Sequence, residues 1–140
     1  MPDPFMLKDV VPREELPWGG LAWYCRPKEA GLKHLVVIEV TLKPGQGHAF
    51  HRHPYQDEVI YCLKGTVEQW VGEKMHLLGP GDAVNIPAGG VHASFNRGPD
   101  EAVLLAIIGP AAESETGYVV EELADKEPWR TLLEKRGQSA

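Results

Sequence analysis

The chain has 140 residues, which suits one domain that buries roughly 70% of the surface its unfolded form exposes, so a core can form without disulfide staples. Hydrophobic residues at 43% and charged residues at 24% exclude a disordered composition, and a net charge of −6 excludes the basic surface that nucleic-acid binding needs. The longest apolar run, Ala102 to Ile108, is far short of the ~20 residues of a membrane span, and Met1-Pro2-Asp3-Pro4-Phe5 lacks the basic-then-apolar pattern of a signal peptide. The sequence therefore points to a cytoplasmic protein with neither nucleic acid nor membrane as partner.

Residues 1–17 carry Pro2, Pro4, Pro12 and Pro17 among charges, and are expected to form an extended arm lying against the domain or a partner subunit. Residues 18–112 are expected to be the domain proper. Leu21 to Arg26 reads as a first strand, and Leu32 to Leu42, rich in β-branched residues, as a second. From Pro44-Gly45 onward, short strands alternate with turn signals: Glu58–Leu63, Thr66–Val71, Lys74–Leu78, Ala83–Ile86, His92–Asn96 and Val103–Ile108, separated by Lys64-Gly65, Gly72-Glu73, Gly79-Pro80-Gly81-Asp82 and Pro87-Ala88-Gly89-Gly90. Regular short strands of this kind predict an all-β sandwich or barrel. Residues 113–140 form a C-terminal extension, in which Pro128 to Arg136 reads as a short helix with proline near its start and Gly137 after its end. Cys25 and Cys62 fit two free thiols better than a disulfide scaffold, although the sequence leaves pairing open.

Two windows concentrate the chemistry. In His51-Arg52-His53-Pro54-Tyr55-Gln56-Asp57-Glu58, the two histidines stand two residues apart, so an extended backbone aims both imidazoles to one side. After the turn at Pro54, Glu58 opens the next strand and can return a carboxylate to the same place, while Asp57 faces the other side. The second window, Pro87-Ala88-Gly89-Gly90-Val91-His92, supplies a third imidazole. On the same strand faces, Ile60, Cys62 and Ser94 are candidate pocket residues, as is His34, which shares the parity of Val36 and Ile38. Gln69 and Trp70 must face opposite ways. His48 and His76 lie near turns and read as solvated, and Asn96 reads as a structural residue.

The spacing Gly45-x5-His51-x-His53-x4-Glu58-x6-Gly65 resembles the first cupin motif at every position, and Gly81-x5-Pro87-x-Gly89-x2-His92-x3-Asn96 resembles the second. The resemblance implies a double-stranded β-helix, the cupin jelly-roll barrel, with His51, His53, Glu58 and His92 as metal ligands inside its mouth. It also implies a small-molecule substrate or ligand and, commonly, a homodimer. Three imidazoles and one carboxylate suit a single divalent transition metal ion, with Fe, Mn, Ni, Zn and Cu all open by ligand type. Four protein ligands leave two positions of an octahedral shell free, which favours a catalytic over a structural ion. The leading expectation is a dioxygenase-like oxidoreductase in which Glu58 also acts as a base. A sugar isomerase or epimerase, and a non-enzymatic ligand-sensing barrel, stay open as alternatives.

Overall fold

A computed structural model describes residues 2–138. The clearest local signal is period-two burial. Along β10 (Ala102–Gly109) the residues Ala102, Leu104, Ala106 and Ile108 are buried and those between them half-buried; along β5 (Asp57–Lys64) Glu58, Ile60 and Cys62 are buried and Asp57, Val59 and Tyr61 exposed. Alternation of this kind makes one face of a strand a wall of the core.

Eleven strands occur among the described residues: β1 (Arg13–Leu16), β2 (Gly19–Cys25), β3 (Val36–Leu42), β4 (Gly47–Arg52), β5, β6 (Val67–Val71), β7 (Lys74–Leu78), β8 (Ala83–Ile86), β9 (His92–Asn96), β10 and β11 (Glu121–Glu122). They form two antiparallel sheets, a six-stranded one ordered β1-β2-β3-β10-β5-β8 and a five-stranded one ordered β11-β4-β9-β6-β7. Their inner faces meet around the apolar core, as in a jelly roll. The five-stranded sheet is covered on both faces at its central strand β9, while β7 at its edge is largely exposed. Every residue of β9 is buried, because Ala93 and Phe95 on its outer side pack with Phe50, Trp70 and the helix α2 (Trp129–Gln138) through Trp129, Leu132 and Leu133. Glu68 fastens that helix: its carboxylate, 1% exposed, accepts from the Trp70 indole, Arg97 and, at 2.6 Å, Arg136 of α2.

Several boundaries differ from the sequence reading. The expected strand Leu32–Leu42 begins only at Val36, because a helical turn α1 (Pro27–Ala30) ends at Gly31 in the left-handed conformation (φ 68°) and the chain reaches Val36 through a bend. The expected arm is partly strand: Arg13–Leu16 pairs with β2 and extends the larger sheet. The C-terminal extension likewise enters the barrel, with Glu121 and Glu122 pairing to Arg52 and His51 of β4. The C-terminal helix runs past Gly137 to Gln138, so that glycine is not its terminator. Both cysteines are free; Cys62 is buried and Cys25 half-buried.

Candidate metal centre

The two sheets bring different chemistry to one place. The five-stranded sheet contributes imidazoles: His51 on β4 and His92 on β9 are paired residues of adjacent strands, with ring centroids 4.2 Å apart, and His53 follows directly after β4. Close contact between β4 and β9 depends on Gly47, where a Cβ would sit 2.1 Å from the Ser94 carbonyl oxygen. The six-stranded sheet contributes Glu58 from β5, whose Oε1 lies 3.2 Å from His53 Nε2 and 2.9 Å from His92 Nε2. The two loops that carry the motifs are tied together, since the His53 carbonyl accepts hydrogen bonds from the amides of Gln56 and Gly89. Gly89 holds φ 78°, a conformation that glycine adopts without a steric penalty.

The tautomers of the three imidazoles follow from their partners. Each Nδ1 donates to a backbone carbonyl: His51 to Ala49 at 2.7 Å, His53 to Val119 at 2.8 Å and His92 to Gly90 at 2.9 Å. A carbonyl only accepts, so Nδ1 carries the proton, and in the neutral imidazole Nε2 is the lone pair. His51, His53 and His92, all buried, have ligand atoms that lie within 4.8 Å of one another. Oriented Nδ1–H groups with Nε2 aimed inward are the usual outer-shell arrangement of metal-ligating histidines.

Buried polar atoms without partners point the same way. Glu58 Oε1 and His92 Nε2 are fully enclosed and, despite their 2.9 Å separation, neither finds a hydrogen bond of acceptable geometry. Leaving such atoms unsatisfied costs about 1–3 kcal/mol each, more for a charge, and a cation at the convergence point removes that cost. The donor set of three neutral nitrogens and one carboxylate thus fits a divalent transition metal ion.

Electrostatics keeps the carboxylate ionised. Burial pushes Glu58 upward, but contacts with His53 and His92 outweigh it and hold the group at about 2. Burial lowers His53, and Glu58 together with the Val119 carbonyl reverses the sign, so His53 is raised. His51 is held well below the ordinary imidazole value by burial and by the neighbouring His48, His92 and His53.

The centre stands on the wall of a narrow cavity of about 40 Å³. Ile60 and Ser94 line this cavity, and Ser94 donates to Gln69 at 2.6 Å. Gln69 therefore faces inward and Trp70 outward. Two expected pocket residues do not line it. His34 is exposed and precedes β3, so strand parity does not apply to it. Cys62 does face inward, but four residues beyond Glu58, about 13 Å at a strand's rise, and it is sealed among Leu42, Val67 and Leu78.

His48, Tyr118 and Gln56, none of them read as a site residue from the sequence, also shape the site. His48, expected to be solvated, lines the cavity and stacks on His51 with centroids 3.6 Å apart and planes 7° apart. Its other face meets Trp18 at 5.1 Å, and its Nε2 lies 2.8 Å from Glu122. Tyr118 lines the mouth, its ring 4.8 Å from that of His53. Burial and the nearby carboxylates Glu58, Glu122 and Glu14 push its hydroxyl far above the usual phenol value, so it stays protonated. Gln56, 3% exposed, donates to the carbonyls of Pro110 and Gly117 and accepts from the Val119 amide, thereby setting the residue that orients His53.

The cupin domain family model matches residues 38–108, and the chain belongs to that family. Protein SchB of Streptomyces halstedii is 29% identical over 119 residues, covering 84% of this chain and 86% of that protein. Quercetin 2,3-dioxygenase of Bacillus subtilis is 40% identical over 58 residues, 41% of this chain but 17% of that protein. The crystal structure of a cupin-superfamily sugar phosphate isomerase from Silicibacter pomeroyi superposes with a TM-score of 0.64 at 26% identity, covering 76% of this chain and 75% of that one. Among the described residues no helix is long and apolar enough to cross a membrane.

Proposed function

We propose that this chain is a metal-dependent oxygenase of the dioxygenase kind, acting on a small organic molecule, with His51, His53, Glu58 and His92 holding one divalent ion. The observation that carries the reading is the set of three Nε2 lone pairs, each fixed by an Nδ1–H donated to a carbonyl, facing a buried carboxylate on the wall of a cavity open to solvent. Fe, Mn, Ni, Zn and Cu all suit the donor set, and a redox-active member would supply the electron chemistry that oxygenation needs. The chain's own residues do the rest. The apolar wall from the six-stranded sheet excludes water, the protonated Tyr118 hydroxyl is a donor to a substrate oxygen, and Glu58 accepts the proton of a substrate hydroxyl at its carboxylate. The local 40% identity with a quercetin dioxygenase supports the oxidative branch.

A metal-dependent isomerase is the second reading, supported by the likeness to the Silicibacter pomeroyi structure. Oxygen-electrode assays with small enols and phenols separate the two. Oxygen uptake that depends on the loaded metal and is lost in Glu58→Ala, with folding retained, supports the oxygenase; full turnover under anaerobic conditions with a redox-inert ion sinks it.

A further inference from the structure

The ligand class follows from what surrounds the centre. The cavity is walled by Leu21, Ile38, Val40, Leu104 and Ala106, and among the described residues its lining holds no lysine or arginine. It shares Trp18, Leu21, His48 and Tyr118 with a second groove of about 260 Å³, so these four side chains stand between the two spaces. The groove adds Trp23 and Val120 to the apolar surface and Glu14 and Glu122 as its charged groups, again without a lysine or arginine among the described residues.

Charge and desolvation then act together. An anionic ligand entering this path would shed water without gaining a cationic side chain, while meeting Glu14 and Glu122 on the way in, on a chain whose net charge is −6. An uncharged ring compound meets the opposite situation. Indole, imidazole and phenol rings line the entrance, with Trp18 and His48 stacked at 16° and Tyr118 set edge-on to Trp23 at 5.7 Å, and burying apolar ligand surface against them is favourable. The polar groups available to such a ligand lie on the cavity wall: the histidine centre, the Ser94 hydroxyl and the Tyr118 hydroxyl.

We infer that the ligand is an uncharged, largely apolar ring compound bearing a hydroxyl or carbonyl oxygen, which enters between Trp18 and Tyr118 with its oxygen toward His51, His53 and His92. The orientation of its polar end rests on the proposed metal centre; the class itself rests on the lining. Anionic substrates such as sugar phosphates and dicarboxylates meet no cationic side chain in either lining among the described residues.

Calorimetric titration with a matched pair of probes tests this. 2,3-Dihydroxynaphthalene, naphthalene-2,3-dicarboxylate and glucose 6-phosphate are each added to zinc-loaded and to metal-free protein, zinc being redox-inert. In both forms the diol is expected to bind at least tenfold more tightly than either anion. Trp18→Ala and Leu21→Arg should each weaken diol binding at least tenfold; if either fails to fold by thermal melting, the probe ranking in the unaltered protein decides alone. An anion binding as tightly as the diol, or a diol that binds neither form, overturns the inference. Failure to load zinc with the probe ranking intact overturns the metal reading and leaves the ligand class standing.

Discussion

His53 Nδ1 donates a 2.8 Å hydrogen bond to the carbonyl of Val119, a residue 66 positions later in the chain. This bond couples the first motif to the C-terminal segment, and Gln56 holds that segment in place by bonding the Val119 amide and the carbonyls of Pro110 and Gly117. Outer-shell partners of this kind are typically worth about 10–100-fold in metal affinity. Gln56→Ala is therefore expected to weaken metal binding by about tenfold or more without removing a ligand. Competition against a chromophoric chelator measures this, and an unchanged affinity would mean that Val119 does not orient His53.

Acid should release the metal through the imidazoles before the carboxylate. Glu58 stays ionised down to about 2, so it does not protonate in the mildly acidic range, whereas histidine nitrogens must be unprotonated to bind. Metal content is expected to be full at about pH 8 and largely lost by about pH 5, as read by elemental analysis after gel filtration. Retention at the lower pH would contradict the histidine ligation.

The metal-free protein should show its own pH signature. His51 has a lowered folded-state value, so between that value and 6.5 the unfolded chain binds the extra proton; the stability from keeping His51 neutral is present above 6.5 and is lost as the pH falls. His53, whose value is raised, acts oppositely: its contribution is present below 6.5 and lost as the pH rises through the raised value. Replacing His51 with phenylalanine removes the first effect. Between about pH 6.5 and 5 the melting temperature of the wild type is expected to fall relative to that of the variant; parallel curves would show that His51 is not buried neutral.

Glu68 offers a stability test remote from the centre. Its carboxylate joins Arg97, Trp70 and Arg136, and these contacts prevail over burial to hold it below the ordinary carboxylate value. Glu68→Gln removes charge-assisted hydrogen bonds and is expected to cost about 2 kcal/mol in urea unfolding at neutral pH. A lowered carboxylate contributes stability above its unfolded value, and that contribution is lost as pH falls through the folded one. The difference between wild type and variant should accordingly shrink below about pH 4.

Much of this site was legible in the sequence because strand geometry has a fixed period. His51 and His53 stand two apart, Glu58 and Ile60 share one face of β5, and His92 and Ser94 share one face of β9; all of these line the cavity. Parity failed where the backbone broke its period. His48 and His51 differ in parity, but the β4–β9 register shifts between them, with His48 opposite Ser94 and His51 opposite His92. That one extra residue is a bulge, and it brings both rings to the same side. His34 misled for a related reason, since the turn capped by Gly31 delays the strand until Val36.

The contribution of the C-terminal segment was not readable at all. Tyr118, Val119 and Glu122 join the surroundings of the histidines through contacts with residues more than 60 positions away, and no local pattern encodes them. Gln56 was visible only as one of the variable positions between His53 and Glu58. Its role depends on tertiary partners.

Metal content measured on purified protein tests the central claim most directly. Wild type, a His51→Ala/His92→Ala double variant and Glu58→Ala are exchanged into one divalent ion, freed of loose metal and analysed for metal per chain. One equivalent in the wild type, none in the folded double variant and weakened retention in Glu58→Ala are predicted. Equal metal in the wild type and the double variant, or none in the wild type, would contradict a centre built from His51, His53, Glu58 and His92.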